Sequence, residues 1–250
     1  MKDNPFSLSG KTILITGAAS GIGKSVSITA STLGATLILV DINNENLQLL
    51  VKELNNNKHV AYCLDLTNST ATTDYIKENF PLLDGIVHCA GVGITLPFKF
   101  CNENELRRIM DINFFAPILL TQQLLKQKKI NIGASIVYMT SIDGTVCGHI
   151  GNSMYASSKG AIMGSVRSQA LELAPRKIRV NCVSPARVNT PLIHRDNISQ
   201  EEVAENIKLY PMKRYAEPEE IAYYIIYLLS DTSTYTTGSN LIIDGGFTLS

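Results

Sequence analysis

The sequence predicts an α/β fold built on a parallel sheet, and three observations lead to it. A short β-branched apolar run, Lys11 to Thr16, stops abruptly at the glycine-rich segment 17–23, as a buried strand does where it turns into a helix. A second apolar run, Thr36 to Val40, follows that helix and ends in Asp41. Strand and helix signals then alternate without a break through the 250 residues, which is the pattern of one α/β domain.

Taken in order, the first strand meets glycines that permit positive φ or a close backbone approach. A helix opening at Gly21 aims its free N–H groups and positive dipole end at the loop, where a pyrophosphate would be stabilised. Asp41 stands where a dinucleotide fold places the acid that bonds the adenosine ribose hydroxyls. A carboxylate there repels a 2′-phosphate, and neither Ser20 nor Ile42 supplies a cation, so NAD is expected over NADP. Capping of the helix that starts near Asn43 is open to the same residue. The helix over 44–56 carries Leu47, Leu50, Val51 and Leu54 at the spacing of one buried face. A third strand, 59–64, ends at Asp65-Leu66, where Asp65 can cap the next helix, and a fourth, 85–89, runs into the small residues Ala90-Gly91.

A long helix over 103–126 carries Leu106, Ile109, Met110, Asn113, Phe114 and Pro117 along one side. Proline has no N–H for the carbonyl of Asn113, which is left free at a kink. The fifth strand, 134–139, leads to Thr140-Ser141, two hydroxyls of which either can face a site. The helix beginning near Ser153 then sets Tyr155 and Lys159 one turn apart on one face. An ammonium about 4 Å from a phenol in a partly shielded site interacts by roughly 4 kcal/mol, enough to bring a phenol from about 10 towards neutrality, the range of a general acid/base. A sixth strand, 178–183, precedes residues 186–213, read as a substrate lid with one amphipathic helix over 199–209. A helix over 218–230 and a strand over 239–243 complete the pattern.

Composition excludes several classes of function. With 22 basic and 22 acidic residues the chain has no net charge, hence no electrostatic footprint for nucleic acid or an anionic membrane. Lys126, Lys128 and Lys129 fit the end of a helix, where cations favour the dipole. Five cysteines show neither metal-ligand spacing nor a disulfide framework, so no metal is expected and a reducing compartment suits them. The polar N-terminus and the lack of a membrane-length apolar stretch make the cytoplasm the expected location.

The loop Thr16-Gly17-x-x-x-Gly21-Ile22-Gly23, joined to Asn113, Ser141, Tyr155 and Lys159, resembles the short-chain dehydrogenase/reductase family over essentially the whole length. The ending Asp244-Gly245-Gly246 is similar to its 3-oxoacyl-(acyl-carrier-protein) reductase branch. The resemblance implies a single-domain Rossmann fold over 1–250, a doubly wound parallel seven-stranded sheet with helices on both faces. It implies NAD, with NADP possible, held by Gly17, Ser20, Gly21, Ile22, Gly23, Asp41, Asp65, Leu66, Ala90 and Gly91, and by Tyr155, Lys159, Pro185, Val188 and Thr190. Tyr155 would be the acid/base, with Lys159 lowering its pKa, Ser141 holding the substrate oxygen, and Asn113 linking Lys159 to solvent through water. The implied substrate is a small alcohol or ketone, and the implied assembly a homotetramer through the Asn113 and Tyr155 helices.

Two places depart from the family pattern. His88-Cys89-Ala90-Gly91 replaces Asn-Asn-Ala-Gly, so sheet support there must come from elsewhere, and Pro185-Ala186 replaces Pro-Gly. His88 reads as a strand-end residue. Asp143, Val146, His149, Met154, Leu192, His194 and Arg195 are candidate substrate contacts, with Arg187 and Arg195 as a possible basic rim for an acyl carrier. An NADPH-dependent 3-oxoacyl reductase is the alternative activity, followed by a silent dinucleotide-binding protein. A sugar-nucleotide epimerase is disfavoured by the glycine spacing and the short substrate segment.

Overall fold

The computed structural model describes residues 4–54, 58–192 and 199–249. Seven parallel strands form one sheet in the order β3-β2-β1-β4-β5-β6-β7. They are β1 (Thr12–Thr16), β2 (Thr36–Asp41), β3 (Val60–Cys63), β4 (Leu83–His88), β5 (Ile130–Met139), β6 (Arg179–Pro185) and β7 (Asn240–Ile243). The helices between them are α1 (Gly21–Thr32), α2 (Asn44–Glu53), α3 (Ser69–Asn79), α4 (Glu103–Met110), α5 (Ala116–Lys126), α6 (Ser153–Leu173), α7 (Gln200–Lys208) and α8 (Pro218–Leu229). No helix among the described residues is long and apolar enough to cross a membrane.

Two-residue periodicity in the strands explains the double winding. Ile13 and Ile15 of β1, Leu37 and Leu39 of β2, and Val137 of β5 face one core with Val26 of α1, Leu47 and Leu50 of α2, and Ile221, Ile225 and Leu229 of α8. Leu14, Ile38, Ile136 and Tyr138 face the opposite core with Ile76 of α3, Leu120 and Leu124 of α5, and Ile162 and Val166 of α6. Because the inner strands β1 and β2 are buried on both faces, their sequences read as continuous apolar runs. The chain reverses direction across the sheet between β1 and β4, which opens a crevice at the carboxyl ends of these strands.

Several expected boundaries shift. Helix α2 ends at Glu53, and the expected turn over 55–56 lies outside the described residues. Strand β5 starts at Ile130, across an irregularity in its pairing with β4. Lys126 closes α5, whereas Lys128 takes a positive φ of 56° beyond it. The expected 103–126 helix is two helices joined by a π-helical turn, Asp111–Phe115. That turn lies just before Pro117, and the missing proline N–H is the local cause of the widened winding.

Candidate active site

A cavity of about 830 Å³ opens at the β1/β4 crevice. Its floor is the glycine loop. Gly17 has a φ of +64°, and a Cβ there would lie 2.6 Å from the Ala90 backbone nitrogen. A Cβ on Gly23 would overlap the Gly17 carbonyl oxygen, so α1 packs on the loop at a distance only glycine allows. Ser20 is the N-cap of α1 yet makes no side-chain capping bond, and the first turn holds no acidic residue. The leading N–H groups and positive dipole end of α1 therefore suit an anion. Gly21 and Ile22 line the same wall, and the Thr190 methyl packs close to Gly21.

Asp41 is fixed at the cavity edge: one carboxylate oxygen accepts from Ala19 N–H at 2.9 Å and the other from Asn43 N–H at 2.9 Å. It does not cap α2, because Asn43 does so by accepting from Asn46 N–H. Asp65 turns back on Thr67, accepting from its N–H and hydroxyl, while Asn68 caps α3. Asp65, Leu66, Ala90, Gly91, Pro185 and Val188 all border the cavity. Ala186 is not among the residues with positive φ. The family's glycine conformation is not needed here, and Ala186 N–H instead bonds the Ile243 carbonyl at 3.0 Å.

Ser141, Tyr155 and Lys159 meet in this cavity. The Ser141 hydroxyl lies close enough to the Tyr155 phenol to favour its ionised form. Thr140 points away, donating to the Val183 carbonyl at 3.0 Å and pairing with Ser184, so of the two hydroxyls Ser141 is the one in the site. Lys159 is only 5% exposed and donates to the Met139 carbonyl at 2.9 Å. Its ammonium lies 5.7 Å from the Tyr155 ring centre.

The electrostatics correct the expectation of an acidified phenol. Burial pushes Tyr155 up to about 12, opposed by the nearby Ser141 hydroxyl and reinforced by the Asp143 charge. Burial also lowers Lys159 to about 8. The physical reason is that both groups are desolvated, and Lys159 is aimed at a carbonyl and not at the phenol oxygen.

Asn113 lies behind the cavity and does not line it, being 1% exposed. Its side chain accepts from Val92 N–H at 2.8 Å and donates to the Val92 carbonyl and to Ser158 of α6. It thus clamps the loop after β4 to the helix that carries Tyr155 and Lys159. Val92 and Ser158 were not foreseen in this role, because their partner is far off in sequence.

The missing family asparagine at Cys89 is compensated in two places. Cys89 N–H bonds the Thr16 carbonyl and Ala90 N–H the Thr16 hydroxyl. Beneath, His88 is buried, stacks on Tyr138 at 4.6 Å and bonds Thr121, which also bonds the Tyr138 hydroxyl. Burial holds His88 neutral, with its pKa down to about 3. It is a sheet residue, as its strand-end position suggested.

Of the expected substrate contacts, Asp143, His149, Leu192 and Arg187 border the cavity. Met154 is buried in the packing at 4% exposure, and Val146 is exposed outside the cavity. Both were placed in the site by nearness in sequence alone. His194 and Arg195 lie outside the described residues, as does part of the 186–213 segment. Tyr210, unforeseen, borders the cavity and stacks on Phe247 at 4.8 Å. Asp143, Cys147 and His149 bring donor atoms within 4.8 Å of one another, a grouping that cysteine spacing does not reveal.

A parallel doubly wound sheet with a glycine loop, a strand-end acid and a buried Ser-Tyr-Lys cluster defines the class of dinucleotide-dependent oxidoreductases. Comparison with known proteins gives the family. A family profile described as enoyl-(acyl carrier protein) reductase matches residues 17–248. The chain is 34% identical to a 3-oxoacyl-(acyl-carrier-protein) reductase of Thermotoga maritima, covering 97% of this chain and 99% of that one. It is 33% identical to an NAD-dependent glycerol dehydrogenase of Listeria innocua, covering 99% and 97%. Among solved structures it superposes on a glucose/ribitol dehydrogenase of the short-chain family from Brucella melitensis with a TM-score of 0.89 at 27% identity, covering 98% and 99%. The chain belongs to the short-chain dehydrogenase/reductase family, whose members are oxidoreductases acting on CH–OH or keto groups with a nicotinamide dinucleotide.

Proposed function

We propose that the chain, as one domain over 1–250, is an NAD-dependent oxidoreductase interconverting a secondary alcohol and a ketone. The observation that carries this reading is that Ser141, Tyr155 and Lys159 open into the same cavity as the glycine loop and Asp41. The loop fits a dinucleotide: Gly17, Ser20, Gly21, Ile22 and Gly23 would hold the pyrophosphate at the end of α1, and Asp41 the adenosine ribose. Asp65 and Leu66 would border the adenine, and Ala90, Gly91, Pro185, Val188 and Thr190 the nicotinamide half. Bound there, NAD supplies the hydride exchange itself.

The chain's own residues handle the proton. A phenol raised by burial is protonated at neutral pH, so Tyr155 donates from Oη to a ketone oxygen held by the Ser141 hydroxyl. In the alcohol direction the proton returns to Oη. Asn113 is a positioning residue in this scheme, since it holds α6 in place. Of the 186–213 segment, Leu192 and Tyr210 border the cavity and would contact the substrate.

NAD is favoured by the fixed carboxylate of Asp41. Initial rates are expected to be higher with NADH than with NADPH, and Asp41→Ala should shift that ratio by about tenfold or more towards NADPH. A wild-type preference for NADPH would overturn the assignment. It would instead support the second reading, a 3-oxoacyl reductase, for which Arg107, Arg108 and Arg187 along the cavity offer cations to an acidic carrier.

Exposed Phe115 beside the Asn113 turn and the small residues Ala156, Ser157, Gly160 and Ala161 of α6 support a homotetramer through these helices. Light scattering is expected to give the mass of four chains, and the mass of one would refute this. Five free cysteines suit a reducing cytoplasm.

A further inference from the structure

The segment between Ser141 and Asn152 is built more firmly than the proposed reaction requires. The N–H groups of Thr145, Val146 and Cys147 converge on the Ile142 carbonyl at 3.2, 2.9 and 3.0 Å, and Gly144 N–H returns to the Cys147 carbonyl. Gly144, at a φ of +81°, sits so tightly on the Ala156 carbonyl that a Cβ would overlap it. This seats the turn against α6, one residue beyond Tyr155. The turn presents Asp143, 5% exposed, with every oxygen engaged: Oδ1 on His149 Nδ1 at 2.5 Å and Oδ2 accepting from Asn152 at 2.7 Å. Asp143 N–H donates to the Ser141 hydroxyl at 3.2 Å. Two hydrogen-bonded links therefore run from the serine to the imidazole, and Asp143, His149 and Asn152 all border the cavity.

Nothing in the Ser141, Tyr155 and Lys159 set uses this carboxylate. Its charge even opposes ionisation of the phenol, so its presence asks for another reason. With Nδ1 tied to Asp143, the imidazole is held in one orientation and Nε2 is the nitrogen left for a ligand. Asp143 lies near His149 and Arg187, so its negative charge is offset and the corner suits a neutral polar group over an anion. An apolar ligand would leave Nε2 without a partner, at a cost.

Resting on the oxidoreductase reading above, we infer that the substrate is a neutral vicinal diol or its α-hydroxy ketone, and that His149, oriented by Asp143, holds the hydroxyl beside the reacting carbon.

The test compares matched pairs, glycerol with 2-propanol and 2,3-butanediol with 2-butanol, with both oxidised cofactors. The wild-type enzyme is expected to favour each diol in kcat/KM by about tenfold or more. His149→Leu should lower that preference by about 10- to 100-fold, the worth of one hydrogen bond to a charged or strongly polar group, with the loss mainly in KM. His149→Gln, which keeps a hydrogen-bonding side chain, should restore most of it. The His149 side chain is 41% exposed, so both variants are expected to fold. A wild-type preference for the mono-alcohols, or an unchanged ratio in His149→Leu, would overturn the inference. So would loss of the preference on chelation and its return with Zn²⁺, which would assign Asp143, Cys147 and His149 to a metal. No turnover of any of the four with either cofactor would instead bring down the oxidoreductase reading.

Discussion

Tyr155→Phe is expected to lower kcat/KM by about 10²- to 10⁴-fold, the usual contribution of a positioned acid/base, while NADH binds as in the wild type. Phenylalanine keeps the ring and removes only the hydroxyl beside Ser141. The pH profile tells this loss apart from a packing defect. In the protein's own field Tyr155 stands at about 12 and Lys159 at about 8. Alcohol oxidation needs the phenolate, so its rate should climb as pH rises from neutrality. The climb should continue through about 8, where Lys159 loses its charge, because that charge is aimed at the Met139 carbonyl and not at the phenol. Ketone reduction needs the phenol, which stays protonated below about 12, and should hold level over the same range. Tyr155→Phe should flatten the oxidation profile. Turnover within a few-fold of wild type would remove Tyr155 from the mechanism.

Gly23→Ala should have a comparable effect on cofactor binding. The new methyl would overlap the Gly17 carbonyl oxygen, and Gly17 cannot retreat because the Ala90 backbone is already against it. The loop must shift by roughly an ångström, a displacement that costs about 100-fold where groups are preorganised. NADH titration by fluorescence is expected to show that loss, and the melting temperature should fall too. Ser20→Asp separates the two effects. Aspartate is a favourable N-cap, so stability should hold or rise, whereas its charge at the α1 end would repel a pyrophosphate. Unchanged NADH affinity in Ser20→Asp would place the cofactor elsewhere.

How much of this was legible in the sequence depends on how far apart the interacting residues lie. The glycine loop, Asp41 and the Tyr155–Lys159 pair are local patterns: a turn, a strand end, one helical turn. Each could be read because its meaning is carried by a few adjacent residues. The succession of strands and helices along the chain followed from alternation alone. The Asn113 clamp joins Val92 to Ser158, and the His88 support joins Thr121 and Tyr138. Such contacts exist only once the sheet has brought its strands together. The phenol was misjudged for a related reason: spacing places Lys159 near Tyr155, but depth and the Met139 carbonyl decide where its charge acts. Asp143 and His149 were named as candidate contacts, yet nothing in their spacing announced that they would bond each other.

The π-helical turn at Asp111–Phe115 acts as a phase shifter. Each added residue rotates a helix by about 100°, so one extra residue in a turn lets the two flanking helices face different ways. Upstream, α4 turns Arg107 and Arg108 towards the cavity. Downstream, α5 turns Leu120 and Leu124 into the sheet. A single helical wheel drawn through 103–126 must misplace one half. The same surplus makes this turn intolerant of a one-residue deletion, which would swing the leucines out of the core while leaving every side chain chemically intact.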